Sequence, residues 1–227
     1  MTATLSAPPT TSPEDVQPAE GAGEPTLGDL RAAHFARSGF SAADYGARWA
    51  RFPVGPFSFV IPNWPGRGRS LSVHDLHHAL THYDTSLRGE AETAAWELAQ
   101  GCRAHPIAWV LQPQALAFGL FACPRRTWRA FVRGRGGANL YEHAYASEEL
   151  LARPLSELRA ELGLSDDERA ATWGDRAAFG LVSIGSLAVG ALGLLAQLVP
   201  LTWLMALIWR LSYDPEARLD EDPLKPR

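Results

Sequence analysis

Apolar positions recur at helical spacing along much of the chain, and their interruptions divide it. Gly28 to Gly39 reads as a short helix, apolar at Leu30, Ala33 and Phe35 and stopped by Gly39. Ser41 to Asp44 opens a second helix that the pattern carries through Trp49. From Phe52 to Arg69 the periodicity fails. Pro53, Pro56, Pro62, Pro65, Gly66 and Gly68 are expected to break any regular element, which leaves Phe57–Ile61 as one strand or as an extended apolar segment. Helical spacing resumes at Val73. A polar break at Tyr83 to Ser86 offers Asp84, Thr85 or Ser86 as an N-cap, and a further helix is predicted from Glu90 to Gln100 or Arg103, with Ala91, Ala94, Ala95 and Leu98 in one row.

Ile107 to Phe121 is a long apolar stretch interrupted by Pro113. Its 15 residues fall short of the roughly 20 that cross a bilayer, so it is expected as a buried helix. Gly134 to Gly137 is a break, and Tyr141 to Leu164 is expected to be mostly helical, with Pro154 opening its last helix and Gly163 closing it. The pattern then changes kind. Ala177 to Trp209 holds 33 residues without a charge, about 50 Å of helix, long for one pass through a roughly 30 Å core and short for two. Gly190 and Gly193 lie near its middle and Pro200 farther on. Charges of both signs flank it, at Asp175 and Arg176 and at Arg210 and Asp214. That balance suits a tight transmembrane hairpin; a single tilted helix ending near Pro200, followed by an interfacial helix with Trp203 and Trp209, suits it nearly as well.

The fold class predicted is all-α. A disordered tail (1–27) precedes a helical domain (28–165), a polar linker (166–176), a membrane anchor (177–213) and a loose charged tail (214–227). The first positive charge is Arg31, and no apolar signal-type core precedes it, so neither a transit nor a signal peptide is expected at the start. A net charge of −4 argues against bulk nucleic-acid binding. Two cysteines, Cys102 and Cys123, with no CxxC, exclude a disulfide framework and a thiolate metal site and fit a reducing compartment.

Candidate chemistry concentrates in VHDLHHALTHYDTSLRGE, Val73 to Glu90, which holds four of the seven histidines. On a helix, His74 and His78 are one turn apart and share a face, and Asp75 lies close to it. A helix hairpin through the Tyr83–Ser86 break folds Glu90 back beside them. Two imidazoles and two carboxylates then converge as metal ligands: His74, Asp75, His78 and Glu90. Such donors suit a divalent metal ion, zinc first, with iron or manganese as alternatives. Glu90 and Asp75 are the candidate catalytic groups, Glu90 as a proton carrier and Asp75 as a ligand or as a carboxylate orienting a histidine. His77 points off this face. His82 continues the row as a further ligand, a supporting partner or a helix cap. Arg67 and Arg69, just before the motif, are anion-binding candidates or plain solvated arginines. Arg125, Arg126, Arg129, Arg133 and Arg135, with Trp128 and Phe131 between them, suit an anionic membrane surface.

The arrangement His74-Asp75-Leu76-His77-His78, eleven residues, Glu90 resembles the metal-site signature of the coenzyme Q biosynthesis protein 4 family. Around it, Gly89-Glu90, the aromatic–Glu pair Trp96-Glu97, and Glu148, Leu155, Leu158-Arg159 and Glu161 to Leu164 look like that family too, over about residues 40 to 165. His82, Asp84 and Ser147 depart from its usual pattern. The resemblance implies ubiquinone biosynthesis: loss of the ring carboxylate, with hydroxylation, at carbon 1 of a polyprenylated hydroxybenzoate. It equally implies a non-catalytic role, organising other quinone-biosynthesis proteins and holding the prenyl lipid. The partners it implies are a polyprenyl-quinone precursor, the membrane, other biosynthetic proteins and a second copy of the chain. The domain is expected on the cytoplasmic side of a bacterial inner membrane.

Overall fold

The computed structural model describes residues 24–38, 41–47, 49–54, 57–62, 65–165, 169–198 and 203. The tail expected at 1–27 is overturned at its end, where residues 24–27 are ordered and Leu27 opens the first helix, while residues 1–23, the tail expected at 214–227 and the stretch holding Pro200 and Trp209 lie outside the described residues. Two capping boxes start long elements. Thr26 and Asp29 exchange hydrogen bonds at the start of α1 (Leu27–Ser38), and Thr172 and Asp175 do the same at the start of α9 (Trp173–Leu198). Each satisfies N–H groups that a bare helix end leaves without partners. The start of α1 is also tied across the fold, by Leu27 N–H to the Arg153 carbonyl and Leu155 N–H to the Pro25 carbonyl, each at 3.0 Å.

The region expected to be irregular is ordered. After the short α2 (Ala42–Gly46), Trp49 opens a strand instead of closing a helix. β1 (Trp49–Val54) pairs antiparallel with β2 (Phe57–Pro62), Ala50 opposite Ile61 and Val54 opposite Phe57. In a two-stranded ribbon each strand has an unpaired side, so proline is tolerated there as on any edge strand. The all-α expectation therefore holds for the body of the domain, with one β-hairpin added. α3 (Pro65–Thr81) begins earlier than the periodicity suggested. Pro65 takes the first turn, where its missing N–H costs nothing. Gly68 lies so close to the Tyr45 backbone that a Cβ would sit 2.4 Å from that carbonyl oxygen.

The centre of the fold is α4 (Leu87–Gln100), buried almost continuously from Gly89 to Ala99 and capped by Ser86, whose hydroxyl accepts from Gly89 N–H. Its alanines let neighbours approach closely: α5 (Ala108–Ala122) through Gly119 against Ala91, and α6 (Pro124–Gly134) through Gly134 against the Trp96 carbonyl. Leu76, Leu80, Trp96, Leu116, Phe131, Leu140 and Leu158 fill the core, and burying each side chain of this size contributes about 1.5–3 kcal/mol. The segment expected to be mostly helical from Tyr141 is broken into a 3₁₀ turn at Leu140–Glu142, α7 (Glu148–Leu151) and α8 (Leu155–Glu161). Gly163, at φ +64°, closes α8 with Leu164 N–H returning to the Arg159 carbonyl.

α9 is one unbroken helix of 26 residues, about 39 Å long, so the described residues contain no hairpin turn at Gly190 or Gly193. It starts at Trp173, inside the expected linker. By length and composition it is apolar enough to cross a membrane. The glycines serve contact: a Cβ on Gly190 would stand 2.9 Å from that of Ala117, and one on Gly193 would meet Gln114. α9 thus runs antiparallel along α5. Nor is α5 buried all round; it turns Trp109, Val110, Phe118 and Phe121 outward, and α9 exposes Leu181, Ile184, Leu192, Leu194 and Leu195. Gly190→Leu should wedge the two helices apart at a cost of about 1–3 kcal/mol, read as a lower Tm of the full chain in detergent. An unchanged Tm would mean that α9 lies off α5 in solution.

Candidate metal centre

α3 and α4 supply the site. His74 and His78 stand one turn apart on α3, and their Nε2 atoms face each other at 3.1 Å with the rings nearly perpendicular. Glu90, in the first turn of α4, spans the pair: Oε2 lies 3.2 Å from His74 Nε2 and Oε1 3.4 Å from His78 Nε2. Gly89 makes this placement feasible, because a Cβ there would collide with the Asp84 carbonyl oxygen at 2.0 Å. The histidines are buried, and Glu90 is the more open of the three.

The outer hydrogen bonds of the two rings determine which nitrogen carries the proton. His74 Nδ1 lies 2.8 Å from Glu97 Oε1, a carboxylate oxygen that can only accept, so Nδ1 donates. His78 Nδ1 lies 3.1 Å from the Tyr83 carbonyl and 3.2 Å from Thr93 Oγ1, whose own proton goes to the Gly89 carbonyl. Nδ1 of His78 therefore donates as well. In the neutral rings both Nε2 atoms then carry lone pairs, and the Glu90 carboxylate faces both. Three electron-rich atoms in such contact need a cation among them, a proton or a metal ion. His74, His78 and Glu90 form a group that could hold a metal ion, with ligand atoms within 4.8 Å of one another. Two imidazoles and a carboxylate suit zinc, iron or manganese and leave positions for water or substrate.

Asp75, the fourth predicted ligand, stands beside this group. Its carboxylate accepts a 2.8 Å hydrogen bond from the Tyr45 hydroxyl. Burial pushes its pKa up, against the opposing pull of His74 and the Tyr45 bond. His82 is no ligand: it sits at φ +64° just past the end of α3, its N–H bonded to the His78 carbonyl, and closes the helix. Arg67 is buried in the first turn of α3, in the field of Asp75, so the solvated alternative fails for it.

Glu97 is the group that motif reasoning left without a role. It is fully buried, and Oε1 also receives the His77 Nδ1 proton at 2.6 Å, while His77 Nε2 accepts from Leu140 N–H at 2.9 Å. His77 is thus a neutral, buried support for Glu97. Burial alone would raise the Glu97 pKa, but the His74 charge and the two imidazole bonds hold it down at about 2. A spacing signal existed: Glu90 and Glu97 are two turns apart on one helix face. Gln112 and Tyr141 complete the surround, with the Gln112 amide 3.0 Å from His74 Nδ1, and His34 of α1 stacks on His78 at 5.8 Å. Cys102 nearby is a packed thiol, its pKa raised by burial and by Glu97.

Compared with models of known protein families, with curated proteins and with solved structures, the chain finds no match. The class of the site therefore rests on its geometry: a two-histidine, one-carboxylate centre, oriented by a buried glutamate, in a helical domain that carries an apolar helix.

Glu97→Gln keeps the volume but removes the charge that fixes the His74 ring. Metal affinity should fall by about 10–100-fold, measured by competition with a chromophoric chelator; unchanged affinity would remove Glu97 from the site. A second expectation concerns pH. Burial disfavours a charged His74, yet Glu97 and Glu90 outweigh it and hold its pKa well above the usual histidine value. In the metal-free protein, this contributes stability that is fully present below the unfolded pKa and is lost as pH rises through the folded one. Metal must displace that proton, so affinity should climb by about tenfold per pH unit across the neutral range. A flat profile would place the proton elsewhere.

Proposed function

We propose that this chain is a membrane-bound metal enzyme of ubiquinone biosynthesis that removes the ring carboxylate at carbon 1 of a polyprenylated hydroxybenzoate and leaves a hydroxyl there. The observation that carries the chemistry is the pair of Nε2 lone pairs of His74 and His78 facing one carboxylate. The substrate comes from the resemblance of His74-Asp75-x-x-His78 and Glu90 to the coenzyme Q biosynthesis protein 4 family. The exposed apolar faces of α5 and α9 support a lipid substrate and a bilayer location, on the cytoplasmic side in this reading.

His74, His78 and Glu90, with Asp75 as the proposed fourth ligand, would hold a divalent metal ion, which would supply Lewis-acid polarisation of a substrate oxygen. The protein groups do the rest. Glu97 and the Tyr83 carbonyl hold the two rings in one tautomer. Glu90, the most open of the group, serves as a ligand or, where it is only loosely bound, instead moves protons. Asp75, which accepts from the Tyr45 hydroxyl and whose pKa burial raises, is the proposed further carboxylate of the site, as a ligand or as a group orienting a histidine. Arg67 supplies a buried positive charge on the same helix, suited to a substrate carboxylate. In the balanced exchange the carbon–carbon bond breaks and carbon dioxide leaves. With water as the oxygen donor, two electrons and two protons are released to an acceptor; with dioxygen, a two-electron reductant is consumed and water forms.

The same exposed faces also favour a second reading, a non-catalytic protein that holds prenyl lipid and organises other biosynthetic proteins. Metal content and turnover of a prenylated hydroxybenzoate, with a two-electron acceptor or with dioxygen plus reductant, separate the two. Wild-type protein should hold about one metal ion and release carbon dioxide, and Glu90→Gln should lose turnover by about 10²-fold or more. Metal binding without turnover under either regime would leave the binding reading in place.

A further inference from the structure

Asp75 is the predicted ligand that the structure keeps apart from the metal centre. It is buried and adjoins His74 in the chain, yet it stands outside the group of ligand atoms of His74, His78 and Glu90 that lie within 4.8 Å of one another. Among the described residues its side chain makes one hydrogen bond, accepted from the Tyr45 hydroxyl at 2.8 Å. A carboxylate offers about four lone-pair positions, so one donor leaves capacity for a cation. Asp75 is also within the field of the centre, since His74, His78 and Glu90 all act on its charge, as it does on that of Arg67 in the first turn of the same helix.

Tyr45 is the fixed member of this pair. It is buried, and its backbone is pressed against α3 at Gly68, where no side chain would fit beneath the Tyr45 carbonyl. Its ring packs against Phe35 of α1 at 5.9 Å and an angle of 58°. The residue beside Phe35, His34, stacks on the ligand His78. One helix, α1, thus backs both Tyr45 and the metal centre. A phenol held at its backbone and at its ring stays where it is. A carboxylate on two side-chain torsions, anchored by one hydrogen bond, can turn from it toward His74, His78 and Glu90.

We propose that Asp75 alternates between two partners: the Tyr45 hydroxyl, as in this structure, and a metal ion held by His74, His78 and Glu90. Tyr45 is the positioning residue of the exchange. By taking Asp75 back it frees one coordination position for a substrate oxygen, and Asp75 closes that position when no substrate is there. A catalytic centre needs such a position, whereas a structural one is closed. No covalent bond is made or broken, and Tyr45 keeps its hydrogen. The inference rests on the metal reading of the centre and is independent of which substrate the protein takes.

The test loads the full chain, in a mild non-ionic detergent, with cobalt(II), whose visible absorption follows its coordination. Tyr45→Phe keeps the ring against Phe35 and removes the competing hydroxyl. Cobalt affinity, read by competition with a chromophoric chelator, should rise by about tenfold, the size of one hydrogen bond to a charged group. Azide, the probe of the open position, should bind cobalt-loaded Tyr45→Phe about tenfold more weakly than wild type, because Asp75 has lost its place of retreat. Asp75→Asn should lower cobalt affinity by about tenfold or more. In that background, adding Tyr45→Phe should move cobalt and azide affinity by no more than about twofold. Unchanged or weaker cobalt binding in Tyr45→Phe would overturn the exchange. So would an equal effect of Tyr45→Phe with and without Asp75, the mark of a merely structural role. If Tyr45→Phe does not fold, Asp75→Asn decides: an unaltered cobalt spectrum and affinity would mean that Asp75 never becomes a ligand. Failure of wild type to bind cobalt would remove the centre and the exchange together, whereas absence of prenyl-hydroxybenzoate turnover would count against that substrate alone.

Discussion

The buried carboxylate of Glu97 is the contact on which the centre of this protein depends. One oxygen takes protons from two imidazoles, His74 and His77, and both are on α3 while Glu97 is on α4. A charge with no exposure is tolerable only when it is paired and hydrogen-bonded. Here the pairing also does positional work. It locks His77 against the Leu140 backbone, and it aims the free nitrogen of His74 at His78 and Glu90. Removing the charge would leave two rings without a reason to keep their tautomers.

The helices around this contact are arranged to keep α4 dry. Alanines and the facing glycines of α5 and α6 let backbones approach closely, which excludes water more completely than larger side chains at the same spacing would. Of the three grouped side chains Glu90 is the most open, at the place where α4 begins and Ser86 caps it. The ligand most open to solvent is thus also the one at the positive end of a helix dipole, which stabilises its charged form.

Charge is laid out in layers. Acidic and imidazole groups gather in the interior between α3 and α4, arginines collect on α6 and before α9, and beyond Arg176 the outward faces of α9 and α5 carry no charge that the described residues show. That order is what the proposed bilayer location draws on, together with a helix long and apolar enough to cross a membrane by length and composition. It also connects the two ends of the molecule: Arg133 clamps the carbonyl of Thr81, and the Tyr83 carbonyl beside it receives the proton of His78.

The sequence by itself determined what is local. The i, i+4 pair His74 and His78, the hairpin that returns Glu90, and the uncharged run that α9 enters after Arg176 all follow from spacing, capping and hydropathy along the chain. It underestimated order where proline and glycine cluster. Pro65 is at home in a first helical turn, and Pro53 in a strand with a free edge, and those contexts are set by neighbours. Only the tertiary structure decided the rest. Glu97 acquires its role because a second helix brings His74 and His77 to it. Asp75 turns to Tyr45 of α2. Gly190 and Gly193 are contact points on α5 rather than a turn. In each case the deciding partner is distant in sequence, and the energy that selects it comes from removing a polar or apolar group from water, which only the packed chain can do.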